Sequence, residues 1–137
     1  MSINNCRIID FPKVTSSRGS LTFIEDDLSL PFDVKRVFYI YDVPSGESRG
    51  SHAHKKLEEI IICLSGSFSI ELDDGYNQII YNLNRPWEGL HLSPLTWFSL
   101  KNFCTGSICL VLCSDKYDED DYIRDYNDYI KLIKDKI

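Results

Sequence analysis

Short runs of alternating hydrophobic and polar residues, separated by turn residues, fill most of this 137-residue chain. A run with a period of two places its apolar side chains on one face of a β-strand. Glycine, proline and Asp-Gly pairs such as Asp74-Gly75 lie between the runs, as expected of turns and hairpins. The strands predicted in this way are 6–11, 20–25, 34–42, 57–64, 67–72, 78–83, 90–92, 96–100 and 107–113.

The period changes beyond Asp118, where apolar residues recur at steps of three and four, as in an amphipathic helix. The members of this stripe are Tyr122, Ile123, Tyr126, Tyr129, Ile130 and Ile133. We therefore predict one all-β domain over residues 1–137, a β-sandwich or small barrel with strands between about 6 and 114. A helix over about 119–135 would cap the barrel or contribute to a subunit interface.

Composition and charge narrow the class of protein. The chain is 43% hydrophobic and 26% charged, as in ordinary globular proteins, and its net charge of −6 argues against a nucleic-acid partner. No stretch approaches the roughly 18 apolar residues of a membrane span, and the N-terminus does not resemble a signal peptide. The five cysteines show no CxxC spacing, so we interpret them as reduced thiols of a cytoplasmic protein.

The segment Arg49–Lys55 carries two of the three histidines, His52 and His54. On a strand, residues two apart share a face at about 7 Å, so both imidazoles would converge on one spot. Glu59 shares its face of the next strand with apolar residues, which is unusual for a carboxylate without a role. Such a set suits either a metal or proton transfer.

The spacing around the histidines resembles the first motif of the cupin superfamily, G(X)5HXH(X)3–4E(X)6G, from Gly46 to Gly66. The resemblance implies a cupin jelly roll, or double-stranded β-barrel, with His52, His54 and Glu59 at its mouth. Metal-binding cupins add a histidine from a second motif, which residues 93–102 resemble. Trp97 and Phe98 stand where that histidine would be, although His91 lies nearby as a possible substitute.

A closer resemblance covers about residues 7–129. It rests on Arg18–Leu21, Lys35–Ile40, Arg49–Lys55, Leu72–Gly75, Arg85-Pro86 with Gly89-Leu90, Thr96-Trp97, Tyr117–Glu119 and Asp121–Tyr126. These blocks resemble the nucleotide-sugar 3,4-ketoisomerases, also called the WxcM-like family.

The resemblance implies an enzyme that converts dTDP-4-keto-6-deoxyglucose to the 3-keto sugar, for later amination into deoxyamino sugars of surface glycans. It implies no cofactor, no required metal and a homodimer. The chain departs from the family at two positions, since Glu59 stands where members often carry Gln and His91 where an aromatic residue is more usual.

We assign hypothetical roles to the residues that this chemistry requires. His54 would remove the carbon proton, His52 would shuttle protons between the two oxygens, and Tyr39 would bind the enediolate. Glu59 would orient one imidazole and raise its pKa.

The remaining candidates would bind the nucleotide. Arg49 and Arg18 are expected on the diphosphate, because guanidinium groups bind phosphate oxygens bidentately. Trp97 or Trp87 would stack on the thymine. Two alternatives stay open at this point: a metal-dependent cupin that uses His52, His54 and Glu59 as ligands, and a non-catalytic sugar-binding cupin.

Overall fold

The computed structural model describes residues 2–26 and 30–135. Short antiparallel strands account for most of them: β1 (Arg7–Asp10), β2 (Lys13–Ser16), β3 (Gly19–Thr22), β4 (Arg36–Ile40), β5 (Arg49–His54), β6 (Glu59–Ser65), β7 (Phe68–Asp73), β8 (Gln78–Leu83), β9 (Glu88–Leu92), β10 (Trp97–Lys101), β11 (Ile108–Cys113) and β12 (Tyr122–Ile123). Helix α1 (Tyr126–Asp135) follows, and 3-10 turns lie at Ser2–Asn5 and Glu119–Asp121.

Two five-stranded sheets form the body of the protein. The first has the order β1-β9-β6-β11-β4 and the second β12-β5-β10-β7-β8, while β2 and β3 form a separate hairpin. All strand pairs in the two sheets are antiparallel. This arrangement confirms the predicted all-β fold of the cupin jelly-roll type with one C-terminal helix.

The main core lies between the two sheets, where the inward positions of the strands are apolar. Members that are almost fully buried include Ile61, Ile70, Leu72, Leu90, Val111 and Cys109. Strand β6 is also covered on its outer face, where Ile60 and Ile62 pack with Phe11. Burial on both faces explains why the sequence of β6 is an unbroken apolar run, Ile60–Leu64, instead of an alternating one.

The C-terminal helix begins later than predicted. Residues 119–121 form a 3-10 turn that Asp118 caps by accepting from the amide of Asp120 at 3.0 Å. Tyr122 and Ile123 then pair with His54 and Ala53 at the edge of the second sheet. The unpaired backbone groups of β5 are satisfied by this pairing, so the first predicted turns of the helix become an edge strand.

Helix α1 packs on the outer face of the second sheet. Tyr129 is fully buried there with Ala53 and Ile123, and its hydroxyl donates to the carbonyl oxygen of Leu95 at 2.7 Å. Within the described residues, no helix has both the length and the apolar character needed to cross a membrane. All five cysteines are free thiols, and Cys104 is the exposed one.

Candidate active site

A β-bulge in β5 brings Arg49 and His52 to the same side of the sheet, although one is an odd-numbered and the other an even-numbered position of the strand. Phe98 pairs with His52, but the next residue of β10, Ser99, pairs with Gly50, so Ser51 is the extra residue. Gly50 and Ser51 both have positive φ angles, +85° and +58°. Strict alternation would point Arg49 and His52 in opposite directions, whereas the bulge lets both line one cavity.

That cavity has a volume of about 420 Å³ and lies between the two sheets. Its polar wall is formed by Arg49, His52, Glu59 and Arg124. Its apolar wall includes Phe38, Ile40, Ile61, Phe98, Leu100 and Val111. A cavity of this kind, mostly apolar with a few converging polar groups, is typical of small-molecule sites.

The two histidines are in direct contact at the base of the cavity. Their Nε2 atoms lie 3.2 Å apart, and the rings meet edge to face at a centroid distance of 4.8 Å. Phe98 and Tyr122 pack against both rings. His52 lines the cavity, while His54 lies behind it and is only 4% exposed.

Glu59 completes this cluster from the neighbouring sheet. Its Oε1 atom lies 3.5 Å from Nε2 of His54, and its Oε2 atom accepts a long contact of 3.9 Å from the thiol of Cys113. The residue is 3% exposed, and this burial raises its pKa to about 7, against the opposing charge of Arg36. Burial therefore lets the side chain keep its proton at a pH where an exposed carboxyl group is ionised.

Burial has the opposite effect on the imidazoles, because it disfavours their charged forms. It lowers the pKa of His52, and it lowers the pKa of His54 to about 3 with further contributions from His52 and Arg36. The expected rise in an imidazole pKa is not found: both pKa values are lowered, and Glu59 is not among the groups that shift them. Both rings are neutral at pH 7 and available as proton acceptors.

The rim of the cavity carries a cation that the sequence analysis missed. Arg124 donates to both carboxylate oxygens of Glu119, at 2.7 and 2.8 Å, and its guanidinium lies 4.2 Å from the ring centroid of Tyr122. Tyr117 also donates its hydroxyl proton to Glu119. In the sequence Arg124 lies inside an acidic segment with a helical period, and that pattern does not mark it as a site residue.

Two predicted site residues lie outside this cavity. Tyr39 is 61% exposed on the outer face of β4, beside Tyr41, while its neighbours Phe38 and Ile40 point inward. Trp97 lies on the outer face of β10 against Tyr126 of the helix, and the next residue, Phe98, faces the histidines.

The other three candidates also lie elsewhere. Arg18 is in the exposed turn of the β2–β3 hairpin. Trp87 stacks under the ammonium group of Lys13 at 3.7 Å from its ring centroid. His91 pairs with Glu58 at 2.8 Å and contacts the ring of Phe32, so it is buried apart from the histidine pair and cannot substitute as a ligand there. Across residues 2–26 and 30–135, no cluster of three or more His, Cys, Asp or Glu side chains has the arrangement of a metal site.

Comparisons with known proteins find similar sequences and structures over nearly the whole chain. A family model described as FdtA: WxcM-like, C-terminal, matches residues 4–134. The TDP-4-oxo-6-deoxy-alpha-D-glucose-3,4-oxoisomerase of Aneurinibacillus thermoaerophilus is 45% identical over 127 residues, which cover 93% of this chain and 91% of that protein.

Two solved structures of the sugar 3,4-ketoisomerase QdtA from Thermoanaerobacterium thermosaccharolyticum are similar throughout. The complex with TDP has a TM-score of 0.94 and 43% identity, covering 97% of each chain. A histidine-to-asparagine variant in complex with TDP-4-keto-6-deoxyglucose also has a TM-score of 0.94, with 42% identity over 97% of this chain and 96% of that one.

Proposed function

This chain belongs to the WxcM-like FdtA family, and we propose that it is an enzyme, a nucleotide-sugar 3,4-ketoisomerase acting on dTDP-4-keto-6-deoxyglucose. The observation that carries the proposal is a contiguous set of three proton-transfer groups, two of which, His52 and Glu59, line one cavity. Nε2 of His52 lies 3.2 Å from Nε2 of His54, which lies 3.5 Å from Oε1 of Glu59. The relatives named above act on or bind the same class of nucleotide sugar.

The reaction moves a ketone from C4 to C3 through an enediol. A base removes the proton from C3, a proton passes between the two oxygens, and a proton is returned to C4. The oxidation level changes only within the sugar, so no external oxidant or reductant enters the balance. Neutral imidazoles with suitable hydrogen-bonding partners can contribute about 10²–10⁴-fold to such steps.

His52 is the base in this proposal, because it lines the cavity whereas His54 lies behind it. The sequence suggested His54 as the carbon base, so this proposal moves that role to His52 and leaves His54 as the proton partner of His52. The proton that His52 accepts can pass to His54 across the 3.2 Å contact. Both rings are neutral at pH 7 because burial lowers the pKa of each one.

Glu59 takes part in its neutral form. A protonated carboxyl can donate a hydrogen bond, whereas a carboxylate only accepts. With a pKa of about 7 and a place in the cavity wall, Glu59 can therefore supply a proton toward the histidine pair or the enediolate oxygen. Glutamine would preserve this donor without titrating.

Arg49 and Arg124 are the proposed partners of the diphosphate. Both line the same cavity as His52, and a guanidinium group binds phosphate oxygens through two parallel hydrogen bonds. Arg124 is already oriented by Glu119 and Tyr122. Arg49 is brought to this wall by the bulge at Ser51.

We also propose a homodimer in the cytoplasm. Several large apolar side chains are exposed on the β2–β3 hairpin and on the outer face of the edge strand β4, namely Val14, Leu21, Val37 and Tyr39. Exposed apolar surface of this kind is typical of a protein interface. The free thiols support a reducing compartment.

Isomerisation is tested by incubating the protein with dTDP-4-keto-6-deoxyglucose in D₂O and following the sugar by NMR. We expect a new 3-keto product, and a large loss of product formation in His52→Asn but not in His91→Asn, which changes a histidine outside the cavity. Binding of the sugar without any product or exchange at C3 would identify a non-catalytic sugar-binding protein. Loss of activity on chelation, restored by a metal, would favour the metal-dependent alternative.

A further inference from the structure

A carboxylate that is not part of the substrate cavity lies against the far side of the histidine pair. Asp121 ends the 3-10 turn before β12, and its side chain is 14% exposed. Its Oδ1 atom accepts from the amide of Lys56 at 2.9 Å, and its Oδ2 atom accepts from the amide of Leu57 at 3.1 Å. Both carboxylate oxygens are thus fixed by backbone donors on the loop after β5.

The same Oδ2 atom lies 3.5 Å from Nδ1 of His54. A carboxylate is acceptor-only, so this contact is favourable when Nδ1 of His54 carries the ring proton. The neutral ring then has its lone pair on Nε2, the atom that faces His52 and Glu59. Among the described residues Nδ1 of His54 has no hydrogen-bond partner, so the 3.5 Å contact must tighten for this role, as hydrogen bonds at catalytic sites often do when substrate binds.

His54 separates two cavities. On one side lies the cavity that His52 lines, and on the other side lies a second one of about 210 Å³. The second cavity is bordered by His54, Asp121 and several charged side chains: Arg36, Lys56, Asp115, Lys116 and Asp118. Nε2 of His54 thus points toward His52, and its Nδ1 points toward Asp121 in the second cavity wall.

The electrostatics around His54 are otherwise unfavourable for a positive charge. Burial, His52, Arg36 and Arg124 all lower the pKa of His54, and Glu59 next to it keeps its proton at a pH where an exposed carboxyl group is ionised. A proton arriving on His54 therefore needs an anion nearby. Asp121 is the carboxylate that lies against the remaining ring nitrogen.

We propose that Asp121 is a positioning residue for the isomerisation: it holds the Nδ1 proton of His54, so that Nε2 of His54 accepts the substrate proton from His52. His52 takes the proton from C3, a proton passes from Nε2 of His52 to Nε2 of His54, and Asp121 balances the imidazolium that forms on His54. The reverse transfer returns a proton to C4 after the hydroxyl proton has passed from O3 to O4, so no charge or proton is left over. This inference rests on the proposed ketoisomerase function.

The test compares Asp121→Asn with Asp118→Asn. Both changes remove one negative charge from the wall of the second cavity, but Asp118 caps the turn through the amide of Asp120 and asparagine preserves that type of cap. For Asp121→Asn we expect kcat to fall about 10²-fold, as for loss of a participant in acid–base catalysis, with KM changed by less than about twofold. Asp118→Asn should keep the wild-type kcat.

A second measurement needs neither substrate nor a variant of Asp121. In ¹⁵N NMR spectra of the wild-type protein, assigned with His52→Asn and His91→Asn, Nδ1 of His54 should show the pyrrole-type shift of a protonated nitrogen. A bare Nδ1 would overturn the proposal, as would an Asp121→Asn enzyme with wild-type kcat or with a defect confined to KM. An inactive wild-type protein would instead refute the proposed ketoisomerase function, while the tautomer would still show whether Asp121 holds the Nδ1 proton.

Discussion

The carboxyl group of Glu59 lies 3.5 Å from Nε2 of His54 while being almost completely removed from solvent. Burial raises its pKa to about 7, so the fraction that can donate a proton changes steeply across neutral pH. We predict that kcat of the wild-type enzyme falls above about pH 7, and that Glu59→Gln, which stays neutral, lacks this decline. Rate profiles from pH 6 to 9 measure the effect. An identical decline in both proteins would assign it to another group.

The same carboxyl group should make the free energy of unfolding decrease as the pH rises. A carboxylate in an ordinary buried ion pair has the opposite effect. Its pKa is higher in the folded state, about 7, than its reference value of 4.5, so the folded protein binds more protons between these pH values. The free energy of unfolding contributed by Glu59 is therefore greatest below pH 4.5 and is lost as the pH rises to about 7. The full change is on the order of 3 kcal/mol.

Denaturant unfolding of the wild type and Glu59→Gln at pH 5 and pH 8 isolates this contribution, because other titrating groups are common to both proteins. We expect the wild type to lose stability relative to Glu59→Gln on going from pH 5 to pH 8. A constant difference between the two proteins would mean that Glu59 titrates near its reference value when folded.

The proximity of the two histidines and Glu59 could be predicted from the sequence for a physical reason. His52 and His54 are two residues apart beyond the bulge in β5, so their shared face follows from strand alternation. Glu59 lies on β6 of the other sheet, and its inward direction follows from its alternation with the apolar residues of that strand. The apolar runs also predicted most strands of the jelly roll, because burial between or beneath sheets requires them.

The sequence does not show which of two adjacent aromatic residues faces the inside of the protein. In Phe38-Tyr39 and Trp97-Phe98, both residues are apolar enough to face either way, so the pattern does not reveal the phase of the strand. The structure points Phe38 and Phe98 inward and leaves Tyr39 and Trp97 outside. The helical period from Tyr122 onward likewise concealed an edge strand, and with it Asp121, Tyr122 and Arg124.

Arg49 should contribute to binding more than to the chemical step, because it lines the cavity but does not belong to the proton-transfer cluster. We predict that Arg49→Lys raises KM for the nucleotide sugar by about 10- to 100-fold with little change in kcat, since lysine lacks the bidentate geometry. Steady-state kinetics measure this. Arg85→Lys is the matched control, because Arg85 is exposed and pairs with Glu88 outside the cavity. A lower kcat with unchanged KM in Arg49→Lys would show that Arg49 acts in the chemical step and not in substrate binding.

Gly50 allows the bulge that places Arg49 and His52 on one wall, so its substitution should damage the site as well as the fold. Its φ is +85°, and an added Cβ would lie 3.2 Å from the ring of Phe98, which packs on His52. Gly106 has a similar φ of +79° but open space around the position of a Cβ. We predict that Gly106→Ala loses only the backbone contribution of about 1–2 kcal/mol in unfolding free energy and keeps wild-type kcat/KM. Gly50→Ala should lose more stability and also kcat/KM, because the Phe98 ring must move. If denaturant unfolding and kinetics gave the same values for both variants, strain at the bulge would not control the geometry of the active site.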